Sequence, residues 1–262
     1  MDSTDSIINS QAIIHPEAII ADDVHVGPWT TIGANVEIGS GCVIESHVVI
    51  KGPAKIGRKN HIYQFSSVGE VTPDMKYQGE PTGLVIGDNN TIREGVTIHR
   101  GTIQDRCETI IGNSNLLMAY VHIGHDSIIG DHCILVNNAA LAGHVTVGDW
   151  AVLGGFTLVH QYCLLGAHSF TGMGSAIGKD VPAFMTVAGN PASAKSINAE
   201  GLNRRNFSKT DIATINKAFK ILYRRGLTLN EALVELKKLV AICQPLSMLI
   251  NSLESSARGI VR

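Results

Sequence analysis

A branched aliphatic residue occupies nearly every sixth position through most of the chain. One run extends from Ile14 to Ile98 across an interruption, and another extends from Ile111 to Ile177. An α-helix repeats about every 3.6 residues and an isolated strand every two, so neither produces a sustained period of six. A six-residue repeat is typical of a parallel β-helix, in which three hexads form one triangular coil. The sequence therefore predicts an all-β solenoid in which residues about 18 apart stack with a spacing of about 4.8 Å.

The other hexad positions agree with a narrow apolar prism. The fourth residue after each aliphatic is small or β-branched, and Cys42, Cys133 and Cys163 occupy such positions. Aromatic residues make up only 5% of the chain, as a thin interior requires. We interpret these cysteines as small buried hydrophobic residues rather than as catalytic thiols or disulfide partners. Such cysteines fit a reducing compartment.

Two segments interrupt the hexads, one near residues 70–85 and one near residues 99–110. Long excursions from a regular scaffold are often functional, because loops carry much of the binding chemistry of proteins. In the first segment, Asp74 and Lys76 are candidates for contact with a ligand. A loop that is merely solvated is the alternative.

The repeats end near Pro182, and we interpret residues 183–200 as a connector. Beyond it, Ser208 and Thr228 each stand three residues before an acidic residue, a pattern that begins a capped helix. Apolar stripes follow both, and Pro245 precedes a last apolar segment. These features predict a C-terminal α-helical cap over the open end of the solenoid. The predicted domains are a solenoid over residues 1–190 and a helical domain over residues 191–262.

The helical segment is more basic than the rest of the chain. Residues 204–238 contain nine Lys or Arg against three acidic residues, whereas the whole chain has a net charge of −2. A solvated helix face and a docking surface for an acidic macromolecule both explain this asymmetry. Aromatic residues do not alternate with the basic ones as a base-stacking platform would require, which argues against nucleic acid.

The remaining composition gives no sign of a membrane protein. The first ten residues lack the basic and apolar regions of a signal peptide. We find no apolar run of about 18 residues, so we expect no membrane span. The sequence is interpreted as that of a soluble cytoplasmic protein.

The coil count brings several polar residues outside the prism into one patch. Gly143 lies one coil after His125, and His144 lies one coil after Asp126. We expect His125 to act as a general base and Asp126 to orient or charge-stabilise a histidine. The missing side chain of Gly143 leaves space beside His125 and exposes a backbone N–H that would serve as an oxyanion donor.

Two other kinds of protein compete with this interpretation. A zinc site needs three or four ligands close to one point, and His122 and His125 would converge only across a subunit boundary, as in trimeric solenoid carbonic anhydrases. A noncatalytic solenoid that serves as a scaffold or a nucleotide-sugar sensor is the other alternative. We find no exposed Cys or Ser that the coil count places beside a histidine, which disfavours a covalent nucleophile.

Several short segments resemble one family of acyltransferases. They are His122-Ile-Gly-His125-Asp126, Gly143-His144, Leu158-Val-His160-Gln161 and Asn198-Ala-Glu200-Gly-Leu-Asn-Arg204-Arg205. Together with the Asp74-Met-Lys76 loop and the helical C-terminus, they make essentially the whole chain similar to the acyl-[acyl-carrier-protein]–UDP-N-acetylglucosamine O-acyltransferases of lipid A synthesis.

The resemblance implies a left-handed parallel β-helix that forms a homotrimer with active sites in clefts between subunits. It implies transfer of a (3R)-3-hydroxyacyl group from acyl carrier protein to the 3-hydroxyl of UDP-N-acetylglucosamine, the first step of lipid A biosynthesis. His125 would be the base, Asp126 its support and Gly143 the oxyanion donor. Neither a covalent intermediate, a metal nor a resident cofactor is implied, since phosphopantetheine arrives on the acyl carrier protein. The residues that would line the substrate site are Asp74, Lys76, His99, His122, His144, His160, Gln161, Asn198, Glu200, Arg204 and Arg205.

The resemblance also gives the basic helices and Met173 a role. The helices match the docking surface for acyl carrier protein, which is acidic. Met173 stands where long-chain members of the family carry glycine, at the end of the acyl groove, and ordinary surface packing of a flexible thioether is the alternative. Each methylene that stays unburied forfeits about 0.8 kcal/mol, so a shortened groove would favour a donor of about ten carbons.

Overall fold

The computed structural model describes residues 7–262 and confirms the solenoid. Each coil contributes one short strand to each of three parallel sheets, so that Ile123 pairs with Leu141 and Ile129 pairs with Val147. The prediction that there is no signal peptide rests on the first ten residues. Residues 1–6 of that segment lie outside the part of the chain that the structure describes. Within residues 7–262, no helix combines the length and the apolar character needed to cross a bilayer.

Strands in the three sheets follow one another in chain order around the prism. In the described part of the chain, the first sheet contains Ile13–Ile14, Thr31–Ile32, Val49–Ile50, Ser67–Glu70, Thr97–His99, His122–Ile123, Ala140–Leu141, Leu158–Val159 and Ala176–Ile177. The second sheet contains Ile19–Ile20, Val36–Ile38, Ala54–Ile56, Gly83–Ile86, Glu108–Ile111, Ile128–Ile129, Thr146–Val147 and Leu164–Leu165. The third sheet contains His25–Val26, Val43–Ile44, His61–Ile62, Thr91–Ile92, Leu116–Leu117, Ile134–Leu135, Val152–Leu153, Phe170–Thr171, Met185–Gly189 and Ala192–Ile197.

The repeated aliphatic residues fill the prism, and small side chains occupy the space beside them. Cys42, Cys133 and Cys163 are buried in this interior, as predicted. Burial raises the pKa of the Cys133 thiol to about 12 and that of Cys163 to about 11. At neutral pH both therefore remain protonated thiols, which are poor nucleophiles.

Both interruptions of the repeat leave the prism at the same corner. We call the turn from the first sheet to the second the first corner, with residues 124–126, 142–144 and 160–162 in its later coils. Residues 71–82 and 100–107 are excursions from this corner in two earlier coils. The third sheet keeps its register between the two excursions, since Ile92 pairs with both Ile62 and Leu117. The strands from which the excursions leave, Ser67–Glu70 and Thr97–His99, pair with a register shift between Val68 and Glu70. The excursions are thus insertions into a continuous solenoid.

The segment predicted as a connector forms an antiparallel hairpin. Its strands, Met185–Gly189 and Ala192–Ile197, pair with each other, and the first also pairs with Phe170–Thr171. The third sheet therefore continues past the last hexad, because backbone pairing does not need the aliphatic period. The predicted division at residue 190 falls at the turn of this hairpin and stays an interpretation.

Helices follow the hairpin and cover the end of the prism. They are α1 (Ala199–Arg204), α2 (Lys209–Arg224), α3 (Leu229–Leu239) and α4 (Leu246–Glu254). Ser208 and Thr228 cap α2 and α3 as predicted, and Thr228 forms a full capping box with Glu231. The Ser252 hydroxyl of α4 accepts a hydrogen bond from the Ala183 amide, which ties the helices to the last coil.

Candidate active site

The first corner stacks His125 and Asp126 directly against the next coil. Asp126 and His144 both have left-handed backbone angles, with φ of +56° and +62°. This conformation is uncommon outside glycine, although aspartate and histidine tolerate it better than most residues. The tight corner requires it, and it directs each side chain outward at a fixed angle.

His125 and Asp126 form a hydrogen-bonded pair. The Nδ1–H of His125 donates to Oδ2 of Asp126 over 2.8 Å, and the carboxylate is fully buried. The Thr102 amide donates to both carboxylate oxygens at 3.0 Å, and the Thr102 hydroxyl donates to Oδ2 at 2.6 Å. Because Nδ1 carries the proton, the lone pair of His125 lies on Nε2.

Hydrogen bonds keep the buried Asp126 ionised. Burial alone would raise the pKa of this carboxyl, but the donors on His125 and Thr102 outweigh it and lower the pKa below its ordinary value of 3.8. An ionised carboxylate hydrogen-bonded to Nδ1 holds the His125 ring in place and can stabilise positive charge that develops on it during a reaction.

Gly143 faces the lone-pair edge of His125, as the coil count predicted. A β-carbon built on Gly143 would lie 2.5 Å from both Nε2 and Cε1 of His125, too close for any real side chain. The Gly143 carbonyl accepts from the Tyr162 amide, whereas within residues 7–262 the Gly143 N–H has no acceptor. A free amide donor therefore lies beside the free base nitrogen.

His144 is held by groups that the sequence did not predict. Its Nδ1 donates to Oδ2 of Asp105 at 2.7 Å, and its ring stacks on Tyr162 with centroids 4.3 Å apart. The edge of His144 meets His125 with ring centroids 4.9 Å apart. Asp105 and Thr102 both belong to the excursion 100–107, so this loop folds back onto the candidate site. The interruption of the hexad repeat indicated that a loop leaves the solenoid here, but it did not indicate which residues of the loop contact the candidate site.

Two further histidines continue the row, with His122 on the strand that leads into His125 and His99 on the preceding coil. His99 and His122 meet edge to face, with ring centroids 5.0 Å apart. Burial, with a smaller effect of the neighbouring His122, lowers the pKa of His99 from 6.5 to about 4. Burial, with a smaller effect of His125, also lowers the pKa of His122. Both are neutral near pH 7, and Nδ1 of His99 is buried without a hydrogen-bond partner among the described residues.

The loop with Asp74 and Lys76 leaves the same corner. Asp74 Oδ1 accepts from the Lys76 amide, and the intervening Met75 is fully exposed. The buried Arg100 donates to the Gly52 carbonyl and, over 3.3 Å, to the Tyr77 hydroxyl of this loop. Arg100, the first residue of the excursion 100–107, therefore links that excursion to the excursion 71–82. His160 and Gln161, also at the first corner, are exposed on the coil after Gly143.

The remaining predicted substrate residues lie elsewhere on the chain. A groove of about 640 Å³ between α1 and the third sheet is lined by Asn198, Glu200, Arg204 and Arg205. Asn198 also caps α1, Glu200 pairs with Arg204, and Arg205 lies over Trp150 with its guanidinium 5.2 Å from the ring centroid. A single chain does not bring this group to His125, because the groove and His125 lie on different sides of the prism.

Met173 also lies away from His125 within one chain. It is 81% exposed at the corner that leads from the third sheet to the first. Gly143 lies at a different corner, so the chain-length role predicted for Met173 requires a neighbouring subunit.

The zinc alternative has some geometric support. Ligand atoms of His125, Asp126 and His144 lie within 4.8 Å of one another. However, the Nδ1 atoms of both histidines point at carboxylates, and Thr102 and His125 already occupy the Asp126 oxygens. This arrangement favours a histidine–carboxylate pair, since a metal would have to displace these hydrogen bonds.

Comparison with known proteins shows what the chain is similar to. Residues 108–143 match the family described as bacterial transferase hexapeptide (six repeats), and residues 180–261 match domain 2 of the UDP-N-acetylglucosamine O-acyltransferases. An acyl-[acyl-carrier-protein]–UDP-N-acetylglucosamine O-acyltransferase of Saccharophagus degradans is 70% identical over 84% of this chain and 85% of its own. The protein of that name from Stutzerimonas stutzeri is 65% identical over 81% of this chain and 82% of its own.

Solved structures agree with these relatives. The UDP-N-acetylglucosamine O-acyltransferase of Moraxella catarrhalis is 47% identical, covers 97% of this chain and 99% of its own, and gives a TM-score of 0.96. The Francisella novicida UDP-N-acetylglucosamine acyltransferase is 41% identical over 97% of this chain and 94% of its own, with a TM-score of 0.95. Fold and site together define a hexapeptide-repeat transferase built on a left-handed parallel β-helix with a helical cap. The chain belongs to the family of the acyl-[acyl-carrier-protein]–UDP-N-acetylglucosamine O-acyltransferases.

Proposed function

We propose that this chain transfers a (3R)-3-hydroxyacyl group from acyl carrier protein to the 3-hydroxyl of UDP-N-acetylglucosamine, the first step of lipid A biosynthesis. The names of its relatives supply the substrate class. The observation that supports the chemistry is the position of His125. Its Nε2 faces the place where Gly143 lacks a side chain, while its Nδ1 is hydrogen-bonded to Asp126.

The proposed reaction is direct transfer with general-base catalysis. His125 Nε2 removes the proton from the sugar 3-hydroxyl as the oxygen attacks the thioester carbonyl. The Gly143 N–H stabilises the oxyanion of the tetrahedral intermediate. Collapse of the intermediate breaks the carbon–sulfur bond, and the imidazolium of His125 protonates the departing phosphopantetheine thiolate. Asp126 stabilises that imidazolium, so the proton is accepted and released by one group.

We further propose that the active enzyme is a homotrimer in the cytoplasm. The groove lined by Asn198, Glu200, Arg204 and Arg205 and the exposed Met173 both lie away from His125 within one chain. A neighbouring subunit that presents either of them to the first corner would complete a cleft for the nucleotide sugar and the acyl chain. The neutral His99 and His122 would line that cleft, together with Asp74, Lys76, His144, His160 and Gln161.

The donor is proposed to be a chain of about ten carbons. The Met173 side chain, in place of a glycine hydrogen, would shorten the acyl groove, and each methylene that the groove cannot bury would cost about 0.8 kcal/mol of binding free energy. The enzyme is proposed to need no resident cofactor or metal. A zinc hydro-lyase is the second candidate, supported by the closeness of His125, Asp126 and His144. Metal analysis of the purified protein distinguishes the two.

The test is mass spectrometry of the product formed from UDP-N-acetylglucosamine and a mixed pool of 3-hydroxyacyl carrier proteins. The proposal expects one new species, the 3-O-acylated nucleotide sugar, with a chain near ten carbons dominant. Absence of any acylated nucleotide sugar would contradict the proposed reaction, and dominance of a much longer chain would contradict only the donor length.

A further inference from the structure

Thr102 lies at the start of the excursion 100–107 and is almost fully buried, at 2% exposure. Its amide and its hydroxyl both donate to the Asp126 carboxylate, and the hydroxyl contact of 2.6 Å is the shortest of them. Hydrogen bonds to a charged acceptor are shorter and stronger than neutral ones. Thr102 thus supplies more donors to Asp126 than His125 does.

The closure of the loop fixes the Thr102 backbone. The Thr102 carbonyl accepts from the Cys107 amide at 3.0 Å, so the two ends of the excursion are joined immediately beside the carboxylate. A β-carbon at Gly101 would overlap the backbone of Cys107 and Glu108, which shows how closely the ends approach. The Gly101 amide donates to the Gly83 carbonyl of the neighbouring strand. The Thr102 donors therefore have little freedom to turn away from Asp126.

We propose that Thr102 is a positioning residue for the reaction, which holds Asp126 so that the His125 ring presents Nε2 toward Gly143. The proposal rests on the proposed function, since it acts through the base role of His125. Thr102 itself does not touch the reacting atoms. It acts through Asp126, and the excursion 100–107 is the device that brings it there.

Other side chains surround this pair. His125 and His144 face Asp126, with His144 Nδ1 4.0 Å from Oδ2, and Asp105 faces His144 from the same loop as Thr102. His122 lies on the strand that leads into His125, and His99 lies one coil earlier. Loss of the Thr102 hydroxyl would leave the Thr102 amide and His125 as the donors to Asp126.

The experiment compares Thr102→Val with Thr102→Ser and Thr109→Val in steady-state kinetics, with kcat and KM measured separately for both substrates. The valine variant keeps the side-chain volume and loses the hydroxyl, and the serine variant keeps both donors. Thr109→Val is the matched control, because the Thr109 hydroxyl is buried without a hydrogen-bond partner in the described part of the chain. We expect Thr102→Val to lower kcat roughly tenfold, the scale of one hydrogen bond to a charged group. KM for both substrates should stay within about twofold, since ground-state binding is unchanged.

The other expected results separate this inference from the proposed function. Thr102→Ser and Thr109→Val should resemble the wild type in both kcat and KM. In a His125→Ala background, Thr102→Val should cause no further loss. Thr102→Ala removes the same hydroxyl and serves if the valine variant does not fold.

Four results would overturn the inference or the function beneath it. Normal kcat in Thr102→Val, with His125→Ala inactive, would refute the role of Thr102 alone. A loss of similar size in the His125→Ala background would show that Thr102 acts independently of the base. Retained turnover in His125→Ala itself would refute the base role of His125, whereas absence of acyl transfer by the wild type would refute the proposed function.

Discussion

A β-carbon added to Gly143 would lie 2.5 Å from Nε2 of His125. The closeness follows from the solenoid, because a residue one coil away stacks directly on its counterpart. It places the free N–H of Gly143 beside the free nitrogen of His125, and it leaves no room for a side chain. A larger residue at position 143 should therefore lower the activity without disturbing the packing of the prism.

Gly143→Ala tests this contact with the smallest possible side chain. The methyl group must displace the His125 ring, so we expect kcat to fall by about 100-fold, the scale for loss of an oxyanion donor or its alignment. Circular dichroism and the assembly state should be unchanged. The matched control is Gly178→Ala in a later coil, where a β-carbon would meet no atom within 4 Å. An active Gly143→Ala enzyme would show that the glycine has no catalytic role.

The basic face of α2 should bind the acidic carrier protein. Lys217, Lys220 and Arg224 are exposed at helical spacing, whereas Arg225 is paired with Glu235 at 2.6 Å. We expect Lys220→Glu with Arg224→Glu to raise KM for the acyl carrier protein at least about tenfold, because steering charge is reversed. KM for UDP-N-acetylglucosamine should not change.

The control for this surface is the same charge change on the solenoid, Lys55→Glu with Arg58→Glu. The wild-type KM for the carrier protein should also rise with salt, since exposed charges are screened beyond about 10 Å at 0.1 M. A KM that is independent of salt would count against electrostatic docking.

His168 should make the fold sensitive to acid. Burial, aided by the nearby Arg205, lowers its pKa from 6.5 to about 4, while Asp149 opposes the shift. Between these two values the unfolded chain takes up a proton that the folded protein does not, so stability falls as the pH drops from 6.5 toward 4. At about 1.4 kcal/mol per unit, the loss reaches about 3 kcal/mol at the lower end.

Thermal melts of His168→Phe check this pH dependence. Phenylalanine preserves the stacking on Phe184, where ring centroids are 5.5 Å apart, and removes the titrating group. The variant should lose less Tm than the wild type between pH 6.5 and 4.5. His132→Phe, at an exposed histidine stacked on Trp150, is the control and should follow the wild type. Parallel curves for wild type and His168→Phe would refute the assignment.

Met173→Gly tests the proposed ruler. In a competition between donors of about ten and about fourteen carbons, the wild type should prefer the shorter donor. The preference should amount to about 0.8 kcal/mol for each methylene of the longer chain that the groove cannot bury. The glycine variant should shift toward the longer chain. Met248→Ala, at a surface methionine of α4, should leave the ratio unchanged. Equal use by the wild type would remove Met173 from this role.

The sequence predicted the solenoid and the His125–Gly143 contact because both depend only on the hexad period. Each coil repeats the last, so counting residues is enough to place one corner above another. The helical cap followed from the capping residues at Ser208 and Thr228 and from the apolar stripes after them. These local signals do not depend on long-range packing.

The period could not predict what happens where it is broken. Thr102 and Asp105 lie in an excursion whose path is set by its own closure, so the coil count does not apply to them. The hairpin formed by Met185–Gly189 and Ala192–Ile197 was missed because pairing continues without the aliphatic repeat. The resemblance assigned Met173 and the residues of the groove beside α1 to the substrate site, but whether they reach His125 depends on assembly between chains.

The proposed reaction depends first on His125 removing the proton of the sugar hydroxyl. This role is tested by kcat for acyl transfer to UDP-N-acetylglucosamine by His125→Ala, with folding checked by circular dichroism. We expect a loss of roughly 100-fold or more, the usual scale for a general base, in a fully folded protein, because the side chain lies outside the prism. Turnover close to that of the wild type in the folded variant would contradict it.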